Sequence, residues 1–147
     1  MTKKALDEAT IRILIDDMAK AFRAKDADRV MSHYAANAVR FDLAPPLQYA
    51  GADAVDKKGL EDWFSTWRGP IGYEVRDFIV TAGEDVAFCH GFVRISGTKI
   101  DGEHNDVWTR HTVGLRKIDG AWQVTHEHMS VPFYMDGSYR AAVDLKP

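Results

Sequence analysis

Four long segments of alternating apolar and polar residues, joined by very short links, limit the possible fold more than any other feature. They run over Tyr73 to Ala82, Val86 to Ser96, Asp106 to Lys117 and Ala121 to Val131. Alternation with a period of two is typical of strands that bury one face. The last two segments are linked through Asp119-Gly120, a dipeptide that strongly favours a hairpin turn. The sequence therefore predicts an antiparallel meander of four strands.

The first half of the chain has a helical period instead. One apolar stripe is formed by Ile11, Leu14, Ile15, Met18 and Phe22. This stripe predicts a helix of about 18 residues that ends near Lys25, and Asp26 is the expected N-cap of a second, short helix. A strand is expected from Ala38 to Leu43, ended by Pro45-Pro46, and a third helix between Asp53 and Trp67.

Helices first and a meander afterwards indicate an α+β fold, in which a curved antiparallel sheet wraps around the N-terminal helices. The open end of such a cone is a natural pocket for a small molecule. We expect a single domain over residues 1–147, with a core of about 5–133 and a C-terminal tail of 134–147 that is loose or serves an oligomer contact. Alternating apolar residues on both faces of the segment from Val86 to Ile95 predict a homodimer.

Composition excludes several classes of protein. The 147 residues are 46% hydrophobic and carry a net charge of −3, so the chain has no basic excess for a nucleic-acid backbone. A single cysteine, Cys89, rules out an internal disulfide. There is no apolar run of membrane-spanning length, and residues 1–8 do not favour a secretory signal. We expect a cytoplasmic protein with no membrane or nucleic-acid partner.

Two histidines near the end of the last predicted strand are candidates for acid–base chemistry. His126 and His128 are two residues apart and share a strand face with Trp122 and Val124, which predicts that they face the pocket. Two buried histidines bonded to the backbone or to Glu127 are the structural alternative. The His-x-His spacing also suits a metal, with a third ligand from Asp42, His90 or His111, but two histidines do not define a site, and no metal is predicted.

The inward face of the strand around Trp108 depends on the hairpin turn. A two-residue turn at Asp119-Gly120 places His111 beside His128, whereas a three-residue turn with a glycine bulge places Arg110 there. An inward arginine would bind a carboxylate or an oxyanion, or would pair with a buried acid such as Asp42.

Aromatic residues supply the expected apolar contacts. Candidate substrate contacts are Trp108, Tyr34, Trp63 and Phe88, although the last three also have the spacing of core residues. Tyr73, Glu74 and Arg76 are assigned to a strand with an outer face that is solvated or forms a dimer contact. No sequence motif for an organic cofactor is present, so none is expected.

Three stretches of sequence resemble a known superfamily. They are Tyr34 to Asp42, Trp63 to Trp67, and Trp108 through Trp122 to His126–Phe133. Together with the order of elements, they are similar to the ketosteroid-isomerase-like superfamily, also called nuclear-transport-factor-2-like or SnoaL-like, over residues 5 to 133. The resemblance implies a cone-shaped, cystatin-like fold that is often dimeric, and its recurring Trp-x-Arg-x-Thr favours an inward Arg110.

The resemblance also implies candidate chemistry. Asp42 ends the stretch Ala38-Val39-Arg40-Phe41-Asp42, at the position of the general base of ketosteroid isomerases. The position of the oxyanion tyrosine is held by Met18, which cannot donate a hydrogen bond, so steroid isomerisation itself is not expected. With the histidines added, we expect a cofactor-independent isomerase or lyase acting next to a carbonyl, with Asp42 or a histidine as the base and Arg110 and His128 stabilising the oxyanion. The candidate catalytic residues are Asp42, His126, His128 and Arg110. The alternative is a non-catalytic ligand-binding or oligomerisation module. In either case the expected ligand is apolar or bears a carbonyl or carboxylate.

Overall fold

The computed structural model describes residues 1–51 and 54–147, which form three helices and six strands. Two of the strands lie between the second and third helices, and the other four follow the third helix. The helices are α1 (Lys3–Arg23), α2 (Ala27–Met31) and α3 (Lys57–Ser65). The strands are β1 (Tyr34–Phe41), β2 (Tyr49–Ala50), β3 (Trp67–Ala82), β4 (Val86–Lys99), β5 (His104–Ile118) and β6 (Ala121–Ser130). The α+β fold and the four-strand meander are confirmed. Asp53, the expected start of the third helix, lies outside the described residues.

Side-chain caps explain where the helices begin. The Asp26 carboxylate accepts a hydrogen bond from the backbone N–H of Arg29 at 3.1 Å, as its predicted N-cap role requires. The Asp56 carboxylate does the same for the N–H of Gly59 at 2.8 Å. Trp67, expected at the end of the third helix, instead opens β3.

The six strands form one sheet in the order β2-β1-β6-β5-β4-β3. Strands β3 to β6 are antiparallel neighbours, as the short links predict. Strand β1 joins β6 in parallel, with Arg40 opposite Glu127. This one parallel pair departs from the expected all-antiparallel sheet, because the long connection through α3 returns the chain to the far edge of the sheet.

Helix α1 lies across the inner face of the sheet and buries the predicted apolar stripe. Ile11 is fully buried there, and its neighbours in the core include Val113, Leu115 and Val124. The outer face of β3 to β6 has no helix against it among the described residues, and Phe88 on this face is half exposed.

One extra residue in β6 reverses the faces of the strand. The Asp119-Gly120 turn has two residues, with Ile118 opposite Ala121, but Gly114 pairs with His126 while Leu115 pairs with Val124. Thr125 is therefore a β-bulge. Before it, Trp122 and Val124 point inward; after it, Glu127 and Met129 are the buried residues.

The C-terminal tail folds back on itself after β6. Phe133 bridges to Ala141, and Ala142 is 2% exposed.

Among the described helices, none combines the length and apolar character needed to cross a bilayer.

Candidate functional site

A cavity of about 330 Å³ opens between the sheet and α3. This volume lies at the lower end of the range for small-molecule sites. Its apolar lining includes Phe22, Leu60, Trp63, Ile95 and Met129. Its polar lining includes Arg40, Asp42, Tyr49, Asp56, Tyr73 and Glu127. Residues from both helices and strands therefore meet at the predicted open end of the cone.

A buried carboxylate organises the polar wall of the cavity. Glu127 is 3% exposed, and its Oε1 accepts a hydrogen bond from Arg40 Nε at 3.0 Å. Its Oε2 accepts a hydrogen bond from the Tyr34 hydroxyl at 2.7 Å. The parallel pairing of β1 with β6 places Arg40 directly opposite Glu127, so the sheet register creates this ion pair.

The partners of Glu127 keep it ionised. Burial alone would raise the pKa of this carboxyl, but the nearby His111 and Arg40, together with the Tyr34 hydroxyl, outweigh burial and lower the pKa to about 2. Burial and the neighbouring Glu127 in turn raise the pKa of Tyr34 well above its usual value. Glu127 is therefore a fixed negative charge rather than a group that exchanges protons near neutrality.

His111 completes this cluster from β5. Its Nε2 lies 3.0 Å from Glu127 Oε2, and the side chain is buried. The ring lies off the line of a well-directed hydrogen bond, and neither ring nitrogen has an aligned partner within residues 1–51 and 54–147. The contact is therefore a close approach of the ring to the carboxylate rather than a well-directed hydrogen bond.

Asp42 extends from the end of β1 into the cavity lining. Its Oδ1 accepts a hydrogen bond from the backbone N–H of Leu43 at 2.7 Å. Its Oδ2 lies 3.5 Å from Arg40 Nη2, at the outer limit of a hydrogen bond. The Asp42 side chain is 31% exposed, against 4% for Glu127, so it is the more accessible of the two carboxylates.

Tyr73 contributes a hydroxyl to the cavity. The residue is 7% exposed and lines the cavity, with its ring stacked on Phe22 at a centroid distance of 4.7 Å. The hydroxyl makes no hydrogen bond to any residue in the described part of the chain. Burial, reinforced by Glu127, raises the pKa of this phenol, so it remains protonated and able to donate.

Three of the predicted catalytic residues lie on the outer face of the sheet. Arg110 is exposed and donates to Ser130 Oγ at 3.0 Å. His128 is exposed, and His126 is half-buried with Nδ1 2.8 Å from the Val39 carbonyl oxygen. The predicted inward orientation of Arg110, His126 and His128 is wrong. The two-residue turn sets His111 and Thr109 inward on β5, and the Thr125 bulge turns both β6 histidines outward.

The predicted aromatic contacts divide between the two faces. Trp63 lines the cavity. Tyr34 lies behind the polar wall of the cavity, where its hydroxyl donates a hydrogen bond to Glu127. Trp108 lies on the outer face under the Arg76 guanidinium, 4.4 Å from its ring centroid, and Phe88 is half exposed beside His90. The expectation that Trp108 and Phe88 face the cavity is wrong, because both share a strand face with residues that point away from α1.

Sequence reasoning missed four groups at the site: Arg40, Tyr73, His111 as a partner of an acid, and Glu127. Arg40 could have been found, since it shares a strand face with Asp42 two residues later. Tyr73 shares a strand face with the buried Ile71 in the same way. No local signal marks Glu127, because its inward position depends on the bulge.

A more open depression of about 690 Å³ lies on the outer side of the loop after β1. It is lined by residues 41–48 and His128, most of which are exposed. It lacks the wall of buried residues that frames the inner cavity, so the inner cavity is the better candidate site. Within the described residues, no group of three or more histidine, cysteine, aspartate or glutamate side chains is arranged to hold a metal ion.

The fold and this cavity define an α+β cone protein with a polar cluster on its inner wall. A profile of the SnoaL-like domain family matches residues 11–134. The chain belongs to the SnoaL-like family, within the nuclear-transport-factor-2-like superfamily that the sequence resemblance indicated.

Solved structures support this assignment. A nuclear-transport-factor-2-like protein of unknown function from Pseudomonas putida KT2440 is 34% identical, with a TM-score of 0.86, and the match covers 97% of this chain and 98% of that one. A provisionally assigned scytalone dehydratase from Novosphingobium aromaticivorans matches at 17% identity, with a TM-score of 0.78 over 94% and 92% of the two chains.

The association domain of a calcium/calmodulin-dependent kinase from C. elegans matches at 16% identity and a TM-score of 0.66, over 86% of this chain and 97% of that one. These two more distant likenesses show the fold alone. A comparison with curated proteins found no significant match.

Proposed function

We propose that this protein binds a small, largely apolar carbonyl compound in the inner cavity and moves a proton at the carbon next to the carbonyl. The reaction class is an isomerase or a lyase. The observation that supports it is the joint presence, on the wall of one cavity, of an accessible carboxylate, Asp42, and the hydroxyl of the buried residue Tyr73, which has no partner among the described residues.

Asp42 is the base in this proposal. Each oxygen of Glu127 already accepts a hydrogen bond, from Arg40 or from Tyr34, and these partners hold the carboxylate ionised. Asp42 has one oxygen bound to a backbone N–H and the other in only a long contact with Arg40. That second oxygen is the one free to accept a proton from a ligand.

Tyr73 is the donor to the carbonyl oxygen. Removal of the α-proton moves negative charge onto that oxygen, and a preorganised donor in a dry site stabilises the charge. The Tyr73 hydroxyl has this role open to it because it has no partner among the described residues. It would replace the oxyanion tyrosine that the resemblance places at the position of Met18, which is buried in the core.

The proton and electrons balance without a cofactor. The C–H electron pair forms the enolate, and the proton moves to Asp42. In an isomerase the proton returns to another carbon of the conjugated system. In a lyase the enolate re-forms its carbonyl while a hydroxyl on the β-carbon leaves as water, taking up the proton.

Proton abstraction by Asp42 is testable by deuterium exchange. The protein is incubated in D2O with acetophenone, 1-indanone and 2-cyclohexenone, and exchange next to the carbonyl is followed by NMR. We expect wild-type protein to accelerate exchange and Asp42→Asn to lower the rate by about 100-fold or more, because the amide cannot accept the proton.

Asp16→Asn is the matched control, since Asp16 is exposed on α1 and makes the same change of charge outside the cavity. It should exchange like wild type. Equal rates in wild type and Asp42→Asn would refute the base assignment. Ligand binding without exchange in wild type would favour the alternative, a non-catalytic binding module, which the mutual bonding of Arg40, Tyr34 and Glu127 also suits.

We propose in addition that two copies associate through the outer face of the sheet. Ile79, Val86 and Phe88 on this face are each at least half exposed. The same face carries both signs of charge, such as the Arg94–Asp106 pair, so a second copy in an inverted orientation can present complementary charges. A second copy would cover apolar area that otherwise stays in water.

Light scattering tests this association. Wild type is expected at twice the mass of the chain, and Phe88→Arg at the mass of one chain, because the new charge would be buried against apolar groups. Ile13→Arg is the control, since Ile13 is a more exposed apolar residue on α1. A monomeric wild type, or equal masses for both variants, would count against an interface on this face.

A further inference from the structure

The mouth and the floor of the cavity differ in charge. The floor is formed by buried residues, among them Tyr73 and the Glu127 carboxylate with its Arg40 partner. The exposed lining residues, which mark the mouth, include Leu43 and Asp56. Asp42 lies between, with a third of its side chain exposed. Negative charge therefore increases toward the mouth.

The cations near the cavity are already engaged. Arg40 donates through Nε to Glu127 and through Nη1 to the Ala54 carbonyl oxygen at 2.9 Å, and its Nη2 faces Asp42. Lys57 and Lys58 on α3 pair with other acids and are not part of the lining. A carboxylate ligand would thus meet three acids, Asp42, Asp56 and Glu127, and among the described lining residues the only cation is Arg40, which is already bonded to Glu127.

A second observation points to a ligand in this space. Tyr73 is more than nine-tenths buried, lines the cavity, and has a hydroxyl with no partner among the residues described. No described residue accepts a hydrogen bond from this hydroxyl, so a ligand oxygen at the floor can accept it. The floor thus suits a neutral oxygen, while the mouth suits a positive charge.

We propose that the ligand carries a protonated amine at the end held at the mouth, beside Asp56, and a neutral oxygen at the end that reaches Tyr73. The apolar body between them would lie along Leu60 and Trp63 of α3. The carbonyl identity of the neutral oxygen rests on the proposed function; the selection for positive charge does not. The ligand class is therefore an amino-carbonyl compound, not a carboxylic acid.

Three ligands of one shape test the proposal: 4-acetylbenzylamine, 4-acetylbenzyl alcohol and 4-acetylbenzoate. Binding is measured by ligand-observed NMR titration at low salt. We expect the amine to bind about tenfold more tightly than the carboxylate, with the alcohol between them, and the difference to shrink as salt is added.

The variant Asp56→Asn tests whether the charge of Asp56 causes the preference for the amine. Asparagine is also a good N-cap, so α3 keeps its start while the charge is lost. We expect the preference for the amine over the alcohol to fall by about threefold. Asp62→Asn, on the same helix and outside the cavity lining, is the matched control and should leave the preference unchanged.

Two results would overturn the proposal: the carboxylate binding as tightly as the amine, or none of the three binding at millimolar concentration. If Asp56→Asn and Asp62→Asn changed the preference for the amine equally, Asp56 would not be the group that selects the amine. Since each probe has an acetyl group, deuterium exchange can be read in the same samples. Amine binding without exchange would refute the proton-transfer function alone, and exchange with a preference for the carboxylate would refute the charge selection alone.

Discussion

Replacing Glu127 with glutamine is expected to lower the free energy of unfolding by roughly 3 kcal/mol at neutral pH. The change removes the carboxylate that pairs with Arg40, while the Arg40 side chain, which is only 17% exposed, stays buried. A buried guanidinium that keeps only its long contact with Asp42, at 3.5 Å, retains the cost of desolvation and loses most of the attraction that offset it. For a domain of this size such a loss is a large part of total stability.

The same carboxylate makes stability depend on acid. Since the pKa of Glu127 is lowered to about 2 in the folded protein, the folded state binds fewer protons than the unfolded state in mildly acidic solution. Its contribution is fully present above the unfolded pKa and is lost as the pH falls from about 5 toward 2. Glu127→Gln should therefore lose less stability than wild type over this range.

Urea unfolding at a series of pH values measures both effects. The double variant Arg40→Met with Glu127→Leu is the informative companion, because it removes both charges and leaves neither unpaired. It should be more stable than the sum of the two single changes predicts. Additive losses, or parallel acid profiles for wild type and Glu127→Gln, would show that the two residues are not coupled in the way the structure indicates.

Gly91→Ala is expected to destabilise the protein by about 2 kcal/mol. Between Arg76 and Ile79, strand β3 carries an extra residue opposite Gly91, and the Phe78 side chain crosses the space that a Cβ would occupy. That Cβ would lie 2.4 Å from Phe78 Cδ2 and 2.9 Å from both Phe78 Cα and the Arg76 carbonyl oxygen. Two of these three atoms are backbone, so the ring cannot relieve the clash by rotating.

Gly114→Ala on the adjacent strand is the control. Its Cβ would have only an ordinary contact, 3.4 Å from the Cβ of His126. We expect this variant to unfold at the wild-type denaturant concentration or slightly above it, because alanine loses less conformational freedom than glycine on folding. Similar losses for the two variants would contradict the assigned role of the close approach at Gly91.

The sequence carried much of the information about the fold. The stripe from Ile11 to Phe22 and the turn at Asp119-Gly120 are local patterns, and each has one physical solution: a helix packed on a sheet and a two-residue hairpin. The parallel pairing of β1 with β6 was not predictable from such patterns. It depends on how α3 returns the chain to the sheet edge, which is a tertiary property.

Less of the candidate site could be predicted, for a reason that can be traced to one position. Asp42 and Trp63 line the cavity. Both could be chosen from the sequence because the end of a strand and the face of a helix can be inferred from neighbouring residues. The orientation of His126 and His128 was inferred from Trp122 and Val124 by alternation. Alternation fails when a strand contains a bulge, and Thr125 has no side-chain feature that announces one.

That bulge also means that the chemistry of the cavity is encoded by the register of β6 as much as by residue type. If Thr125 took a regular ladder position instead of the bulge, the alternation from Trp122 and Val124 would continue unbroken, and the imidazoles of His126 and His128 would replace Glu127 and Met129 on the inner wall. A change that removes the bulge can thus exchange a carboxylate for two imidazoles while the cone stays intact. Such a step offers a short evolutionary route between different activities on one scaffold, a route that comparing residues column by column would not reveal.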